Sequence, residues 1–296
     1  MKKGTLYFSL LMLILISFSL SAAANKEIVA YFPNWGVYAS SHNNAEVGDI
    51  PWEKVTVINH AFFTIDNSFQ LKSTDDYADF DAMYEHSEGW EPGDLRGHMG
   101  EYKYYKENYP NVKVLISVGG WTRGENFHEM ALTTERRSIF INSCIDFLTK
   151  YPFIDGIDID WEYPGIDRKP DPNDQYDRGC PGGPEDKENF TKLLKEFRET
   201  LDQNGLNNKM LTIAAPANYA KVDDKQEPNK YHQYLDFINL MTYDMHGAFE
   251  DMTNHHSAIY PSPDDQAETT PVDQRTFNVD DTVKLYRDKY GVPEDK

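Results

Sequence analysis

The segment with the clearest chemical potential is a run of acidic residues, DGIDIDWE, at residues 155–162. If this run forms a β-strand, its side chains alternate between two faces, and Asp158, Asp160 and Glu162 share one of them. Like-charged carboxylates about 6–7 Å apart raise one another's pKa, so that one holds a proton near neutral pH. The row therefore predicts a general acid. Glu162, the last of the three, is the natural candidate, with Asp160 as its partner.

Two other interpretations of the acidic run stay open at this point. Carboxylate oxygens also bind hard cations such as Ca²⁺ or Mg²⁺, and a solvated strand edge carries charges at little cost. The flanking residues argue against a plain edge, because Gly156, the isoleucines and Trp161 are typical of a buried, packed strand. Residue chemistry alone thus favours a catalytic acid over a metal site, and a metal site over a structural role.

The elements that position this run follow from hydrophobic patterning. Short apolar runs rich in Val, Ile and Phe predict six strands, at residues 28–32, 55–65, 112–118, 154–160, 210–215 and 237–242. Helical patterns are found at residues 95–108, 134–150, 185–204 and 280–290. Strands that alternate with helices predict an α/β fold with parallel strands joined by crossovers, and we expect one domain.

Three long polar segments, at residues 66–94, 163–184 and 247–279, each follow the carboxyl end of a predicted strand. In a parallel barrel that end carries the active site, although the same is true of an open doubly wound sheet. The first strand is not followed by GxGxxG and the chain has no P-loop, which weighs against a nucleotide-binding fold.

Composition narrows the class of ligand. The chain of 296 residues has 29 Lys and Arg against 49 Asp and Glu, a formal net charge of −20. Nucleic acids and anionic lipids require basic patches, so a neutral or cationic substrate is expected. Aromatic residues make up 14 % of the chain and supply flat faces on which sugar rings can dock.

The first 24 residues have the pattern of a secretory signal peptide. Lys2 and Lys3 precede an apolar run over residues 6–20, and small residues at 22–24 offer a cleavage site. We therefore expect a secreted protein, extracellular or periplasmic, with no membrane attachment after cleavage; an uncleaved anchor is the alternative. In an oxidising compartment Cys144 and Cys180 are either a disulfide or two independent thiols, and the sequence leaves both open.

Four ordered motifs carry a family resemblance. DGIDIDWEYPG at 155–165 resembles the DxxDxDxE strand of glycoside hydrolase family 18, the chitinase family, and the secreted bacterial type in particular. LISVGGW at 115–121 resembles its SxGG strand end, MTYDMHG at 241–247 its sixth-strand motif, and YFPNW at 31–35 its first-strand Tyr-x-x-x-Trp. The resemblance runs from about residue 26 to the end of the chain.

The resemblance implies a TIM (β/α)8 barrel with the acidic run on its fourth strand. Only about six of the eight strands are predicted here, so residues 25–296 are expected to be a C-terminally incomplete catalytic barrel domain and the chain a fragment of a longer chitinase. The family also carries a Trp shortly after the sixth-strand motif where this chain has Phe249.

The activity implied is hydrolysis of β-1,4 links between N-acetylglucosamine units of chitin or chitooligosaccharides, endo-acting, without metal or other cofactor. The mechanism implied is retaining and substrate-assisted. Glu162 would protonate the glycosidic oxygen and Asp160 would orient the acetamido group. Asp158 would share a proton with Asp160, and Tyr243 would donate to the acetamido oxygen.

The same resemblance implies a set of substrate-binding residues. Met241 and Asp244 would line the subsite of the reacting sugar. Tyr31, Trp35 and Trp121 would offer ring faces to sugar C–H surfaces, with core packing as the alternative for each.

Other residues near the acidic run are predicted to be structural. Trp161 is expected to point outward beneath helices and Asp155 to stabilise the turn before the strand. Ser117 is expected to hydrogen-bond Asp158, while Gly119 and Gly120 allow close approach to the acidic strand.

Three alternatives to a chitinase remain. An endo-β-N-acetylglucosaminidase acting on glycoproteins shares the acidic strand. A non-catalytic, lectin-like chitin-binding relative typically loses the terminal Glu, which is present here as Glu162. An inactive truncated product is the third. The residues contain no signal for an oligomeric state.

Overall fold

A curled sheet of mostly parallel strands is the centre of the fold in a computed structural model that describes residues 26–248, 253–261 and 278–296. The strands are β1 (Val29–Pro33), β2 (Val57–Ile65), β3 (Leu71–Ser73), β4 (Lys113–Gly119), β5 (Gly156–Asp160), β6 (Met210–Pro216) and β7 (Ile238–Met241). The parallel strands are ordered β1-β2-β4-β5-β6-β7, the sequential order of a barrel. The proposed signal peptide at residues 1–24 and Phe249 lie outside the described residues.

The six predicted strands are confirmed, with ends that differ by at most two residues. The sequence missed β3, which pairs antiparallel with the end of β2 inside the polar segment 66–94. Its three residues are too few to show a period of two, so no pattern signalled it. In the described part of the chain, the sheet is an arc with β1 and β7 at its two edges. The carbonyl oxygen of Lys296 accepts a hydrogen bond from the Ile238 N–H on β7, at 2.6 Å.

Helices cover the outer face of the sheet. They are α1 (Gly97–Asn108), α2 (Phe127–Ala131), α3 (Thr134–Lys150), α4 (Asp186–Gln203), α5 (Tyr219–Val222), α6 (Pro228–Tyr231) and α7 (Val279–Lys284), the last continuing as a π-helical turn (Leu285–Lys289). Four of them match the predicted segments, and the short helices α2, α5 and α6 were not predicted. Polar caps begin three of the helices, because the Thr133, Asn218 and Asn278 side chains accept from backbone N–H groups of α3, α5 and α7. No helix among the described residues combines the length and apolar character needed to cross a membrane.

The two faces of β5 are sorted as the alternation predicts. Trp161 points outward and is fully buried, stacked on Phe127 of α2 with ring centroids 5.2 Å apart and edge-on to Phe190 of α4. Asp155, just before β5, accepts from Lys106 Nζ at 2.5 Å and from the Val114 N–H at 2.9 Å. The predicted structural roles of Trp161 and Asp155 are both confirmed.

The two cysteines are free and buried, so the disulfide alternative is wrong. Cys144 lies on the inward face of α3, in the hydrophobic core. Cys180 lies in the loop between β5 and α4, where its backbone pairs with Arg168 and its side chain packs against Gly124. Both thiols are therefore unpaired side chains of the hydrophobic core.

Candidate active site

Three carboxylates line up along β5 and face the inside of the arc. Asp158 is fully buried, Asp160 is 4 % exposed and Glu162, just past the strand, is 8 % exposed. Asp160 and Glu162 line a cavity of about 880 Å³ at the carboxyl ends of the strands. The alternation predicted for the acidic run thus places its carboxylates in one row, with Glu162 nearest the open end.

Asp158 is the deepest of the three and lies at the centre of a hydrogen-bond network. Its carboxylate accepts from Tyr31 Oη at 3.0 Å, Ser117 Oγ at 2.8 Å, Thr212 Oγ1 at 2.6 Å and Asn239 Nδ2 at 3.3 Å. These donors lie on β1, β4, β6 and β7, so the Asp158 carboxylate links its own strand to four other strands of the sheet by hydrogen bonds. The predicted Ser117 contact is confirmed. Sequence reasoning missed the other three contacts: Tyr31 was expected only to face a sugar, and nothing local marks Thr212 and Asn239 as inward-facing partners of β5.

Burial raises the pKa values of all three carboxylates in the row. Burial is the largest cause for Asp160, followed by the charges of Glu162 and Asp158, and its pKa lies well above the usual range. Burial also raises the pKa of Glu162, against a hydrogen bond from Tyr163 and the positive charge of Lys221. Asp160 Oδ1 is buried without a hydrogen-bond partner among the described residues, which leaves it free to accept from a ligand.

Two glycines at the end of β4 let the backbone pass close to this row. A Cβ on Gly119 would stand 2.2 Å from the Asp160 carbonyl oxygen, and one on Gly120 would stand 2.8 Å from the Phe62 ring. Both residues also have positive φ angles, 111° and 78°. The Gly120 N–H donates to the Asp160 carbonyl at 2.9 Å. Their predicted structural role is confirmed.

The segment after β7 supplies a second wall of the cavity, lined by Met241, Tyr243 and Asp244. The Tyr243 hydroxyl faces the acidic row: burial first, and then the charges of Asp160 and Glu162, raise its pKa to about 12. Tyr243 therefore stays a proton donor throughout the range in which the carboxylates titrate. Asp244 has a positive φ of 52° and lies 3.3 Å from His256 Nε2, a neighbour that the sequence did not suggest.

Tyr31, Trp35 and Trp121, the predicted aromatic platforms, all line the cavity. Trp35 is 50 % exposed and Trp121 45 % exposed, so neither is a core residue. The ring of Tyr31 is partly exposed as well, while its hydroxyl donates to Asp158. The core-packing alternative therefore does not hold for these three side chains.

Two cavity residues, Tyr163 and Lys221, and one residue beside the cavity, Arg168, were missed at the level of sequence. Tyr163 follows Glu162 directly, and the Lys221 Nζ lies 4.2 Å from the centre of its ring. Arg168, in the loop between β5 and α4, stacks over Trp121. Only Tyr163 had a usable signal, its position next to Glu162. Lys221 and Arg168 reach the site from segments whose sequence is ordinary.

A second cavity of about 540 Å³ adjoins the first. The two share Trp35 and Phe62, whose rings stack with centroids 6.1 Å apart. Tyr38 and Tyr176, both well exposed, lie on the far side. An extended ligand can therefore pass from the acidic row across Trp35 and meet further aromatic faces.

His60 of β2 has a packing role. His60 Nδ1 lies 3.0 Å from Tyr102 Oη, and Nε2 lies 2.8 Å from Asp79 Oδ1, all fully buried, as expected for a satisfied packing histidine. Within the described ranges, no group of three or more His, Cys, Asp or Glu side chains is placed to hold a metal ion.

With the geometry in view, sequence comparison decides the family. The model of Glycosyl hydrolases family 18 matches residues 27–296. The chain belongs to this family. Its relatives include Chitinase A1 of Niallia circulans, 34 % identical over 97 % of this chain and 44 % of the relative. Chitotriosidase-1 of Mus musculus is also 34 % identical, over 91 % of this chain and 51 % of the relative.

Solved structures give the same result for the fold. Chitinase ChiA74 from Bacillus thuringiensis superposes with a TM-score of 0.78 at 34 % identity, over 90 % of this chain and 46 % of that one. The Group IV chitinase of Ostrinia furnacalis, solved in complex with allosamidin, superposes with a TM-score of 0.74 at 29 % identity. The match covers 91 % of this chain and 63 % of that one. The chain thus has the partial TIM barrel that its sequence predicts, and it spans about half the length of these relatives.

Proposed function

We propose that this chain hydrolyses β-1,4 links between N-acetylglucosamine units of chitin, with Glu162 as the acid and base of a substrate-assisted retaining mechanism. The observation that carries the proposal is the pair of buried carboxylates, Asp160 and Glu162, at the mouth of β5. Burial raises the pKa of Glu162, which favours the protonated state that a general acid requires. Chitinases are also the relatives and structural neighbours of the chain.

In the first step, Glu162 donates its proton to the glycosidic oxygen while that bond breaks. The acetamido oxygen of the same sugar attacks the anomeric carbon and gives a cyclic oxazolinium ion. Asp160, whose Oδ1 has no partner among the described residues, accepts the acetamido N–H through that oxygen and orients the group. Tyr243 donates to the acetamido oxygen and orients it for attack.

In the second step, Glu162 is a carboxylate and takes a proton from a water molecule that attacks the anomeric carbon. This opens the oxazolinium ring and restores the acetamido group with retained configuration. The nucleophile comes from the substrate, so the protein requires one acid and one orienting carboxylate on the same strand. Asp158 supports the pair from below, fixed by its four hydrogen-bond donors.

The cavity also fits a polymeric sugar. Trp35 and Trp121 present exposed rings at its walls, and the adjoining cavity continues past Trp35 toward Tyr38 and Tyr176. Aromatic faces at successive positions suit the apolar C–H surfaces of consecutive pyranose rings. The net charge of −20 places no penalty on a neutral polymer.

The test is hydrolysis of chitin hexasaccharide by the purified protein and by its Glu162→Gln variant. We expect the substitution to lower kcat by about 10²–10⁴-fold, because the amide cannot donate the proton. Glu107→Gln, at an exposed position of α1, is the matched control and should keep full activity. A parent protein that is folded and binds the sugar but does not cleave it would overturn hydrolysis in favour of a binding role.

A further inference from the structure

Trp121 is held in place by an arginine from a different loop. The Arg168 guanidinium lies over the indole, with Cζ 3.9 Å from the ring centroid. Arg168 Nη2 also donates to the carbonyl oxygen of Trp121, so one side chain contacts both the ring and the backbone of the same residue. Trp121 nevertheless stays 45 % exposed and lines the cavity.

Arg168 is itself fixed from both sides. Its Nη1 lies 2.5 Å from Oδ2 of Asp177, whose side chain is fully buried. Asp177 also accepts from the backbone N–H groups of Asp171 and Gly179, at 2.9 Å and 2.8 Å. The backbones of Arg168 and Cys180 exchange two hydrogen bonds of 2.8 Å. Arg168 is therefore one of the most constrained positions of the loop between β5 and α4.

The physical consequence concerns the freedom of the indole. An exposed tryptophan that is not held samples several rotamers, and ordering such a side chain on binding costs conformational entropy. A guanidinium stacked on an aromatic ring favours one orientation of that ring. With Arg168 in place, that orientation is set before a sugar arrives.

We propose that Arg168 is a positioning residue for the substrate: it holds the Trp121 indole in the orientation in which a sugar ring stacks on it. The inference rests on the proposed glycosidase function for its kinetic consequence. Arg168 acts through Trp121 and does not contact the bonds that react. The loop between β5 and α4 thereby takes part in substrate binding through Arg168, although the sugar stacks on Trp121 and not on a residue of this loop.

The deciding variant is Arg168→Lys, measured alone and together with Trp121→Ala. Lysine keeps the positive charge beside Asp177. It lacks the planar guanidinium, which stacks on the indole and donates hydrogen bonds from two nitrogens at once. We expect KM for chitin hexasaccharide to rise about threefold to tenfold, with kcat within about twofold of the parent. In the Trp121→Ala background the same change should have no further effect on KM. Arg178→Lys, at an exposed position of the same loop, is the control and should match the parent.

A second readout follows the indole directly. Removal of the guanidinium from one ring face should make Trp121 more accessible to quenching by acrylamide. The contribution of Trp121 is the difference between the protein and its Trp121→Phe variant, each with and without Arg168→Lys. This measurement does not depend on hydrolysis.

Separate results overturn the two proposals. A folded parent that cleaves no chitooligosaccharide defeats the proposed function, while the quenching comparison still decides whether Arg168 orders Trp121. If Arg168→Lys raises KM equally with and without Trp121, or leaves both KM and quenching unchanged, the positioning role is overturned. The positioning role is also contradicted if Arg168→Lys lowers both kcat and thermal stability to the same extent in the parent and in Trp121→Ala. That result would indicate a structural role of the loop.

Discussion

At the residue scale, three carboxylates on one strand differ because their neighbours differ. Asp158 has four hydrogen-bond donors that favour its charged form against burial. Burial and two neighbouring like charges raise the pKa of Asp160, and in the described part of the chain no donor contacts its Oδ1 to oppose them. Glu162 is next to Tyr163 and Lys221, which moderate the effect of its burial. In the proposed mechanism, these three carboxylates serve as an anchor, an orienting group and an acid.

Lys221 is predicted to set the alkaline limit of activity. Its positive charge lowers the pKa of Glu162, so replacing it with a neutral side chain raises that pKa. The acid form of Glu162 then persists to higher pH. We expect Lys221→Met to shift the alkaline limb of the kcat/KM profile upward, as measured with chitin hexasaccharide across the pH range.

Lys195→Met is the control for this prediction, because Lys195 is an exposed lysine of α4. Its pH profile should follow that of the parent. A Lys221→Met profile whose alkaline limb stays in place, or moves to lower pH, would show that Lys221 does not tune the acid.

At the scale of elements, the acidic row depends on how closely β5 packs between β4 and β6. A Cβ on Gly156 would stand 2.2 Å from the Met210 carbonyl oxygen, so any side chain there pushes β5 away from β6. We expect Gly156→Ala to lower the free energy of unfolding by about 1–3 kcal/mol, the usual cost of forcing extra atoms into a packed site. Urea denaturation followed by circular dichroism measures the change.

Gly36→Ala is the matched substitution for comparison. The nearest atom to a Cβ at Gly36 is 3.5 Å away, an ordinary van der Waals contact. Its unfolding midpoint should stay close to that of the parent. Equal midpoints for Gly156→Ala and the parent would mean that β5 can shift without cost, contrary to its role as a rigid support.

At the scale of the whole molecule, charge sets how substrates approach. The formal net charge of −20 attracts cations at long range, and salt screens that attraction, with a Debye length of about 30 Å at 0.01 M and 10 Å at 0.1 M. We expect added salt to raise KM for partially deacetylated, cationic chitooligosaccharides by up to about tenfold. KM for the fully acetylated, neutral sugars should not change, and these serve as the internal control.

The salt series is read from initial rates on both sugars in the same buffers. Parallel curves for the neutral and cationic substrates would indicate that long-range charge has no part in capture. Local contacts at the cavity walls would then decide selection between the two.

Much of the fold was predictable from the sequence because its signals are local. Each strand is a short apolar run and each long helix has a 3.6-residue period, so six strands and the long helices were predicted within two residues. The period of two along 155–162 assigned Asp158, Asp160 and Glu162 to one face and Trp161 to the other. The short strand β3, with three residues, is below the length at which a period can be recognised.

By itself, then, the sequence determined where the six main strands lie along the chain, the acidic row and the aromatic residues that accompany it. Only the tertiary structure decided which residues from other elements meet that row: Thr212 and Asn239 on Asp158, Lys221 beside Glu162, and Arg168 on Trp121. It also decided that Cys144 and Cys180 stay apart. The physical reason is that strand and helix periods act over a few residues. Contacts between side chains that are far apart along the chain depend on how the sheet curls and where its loops return.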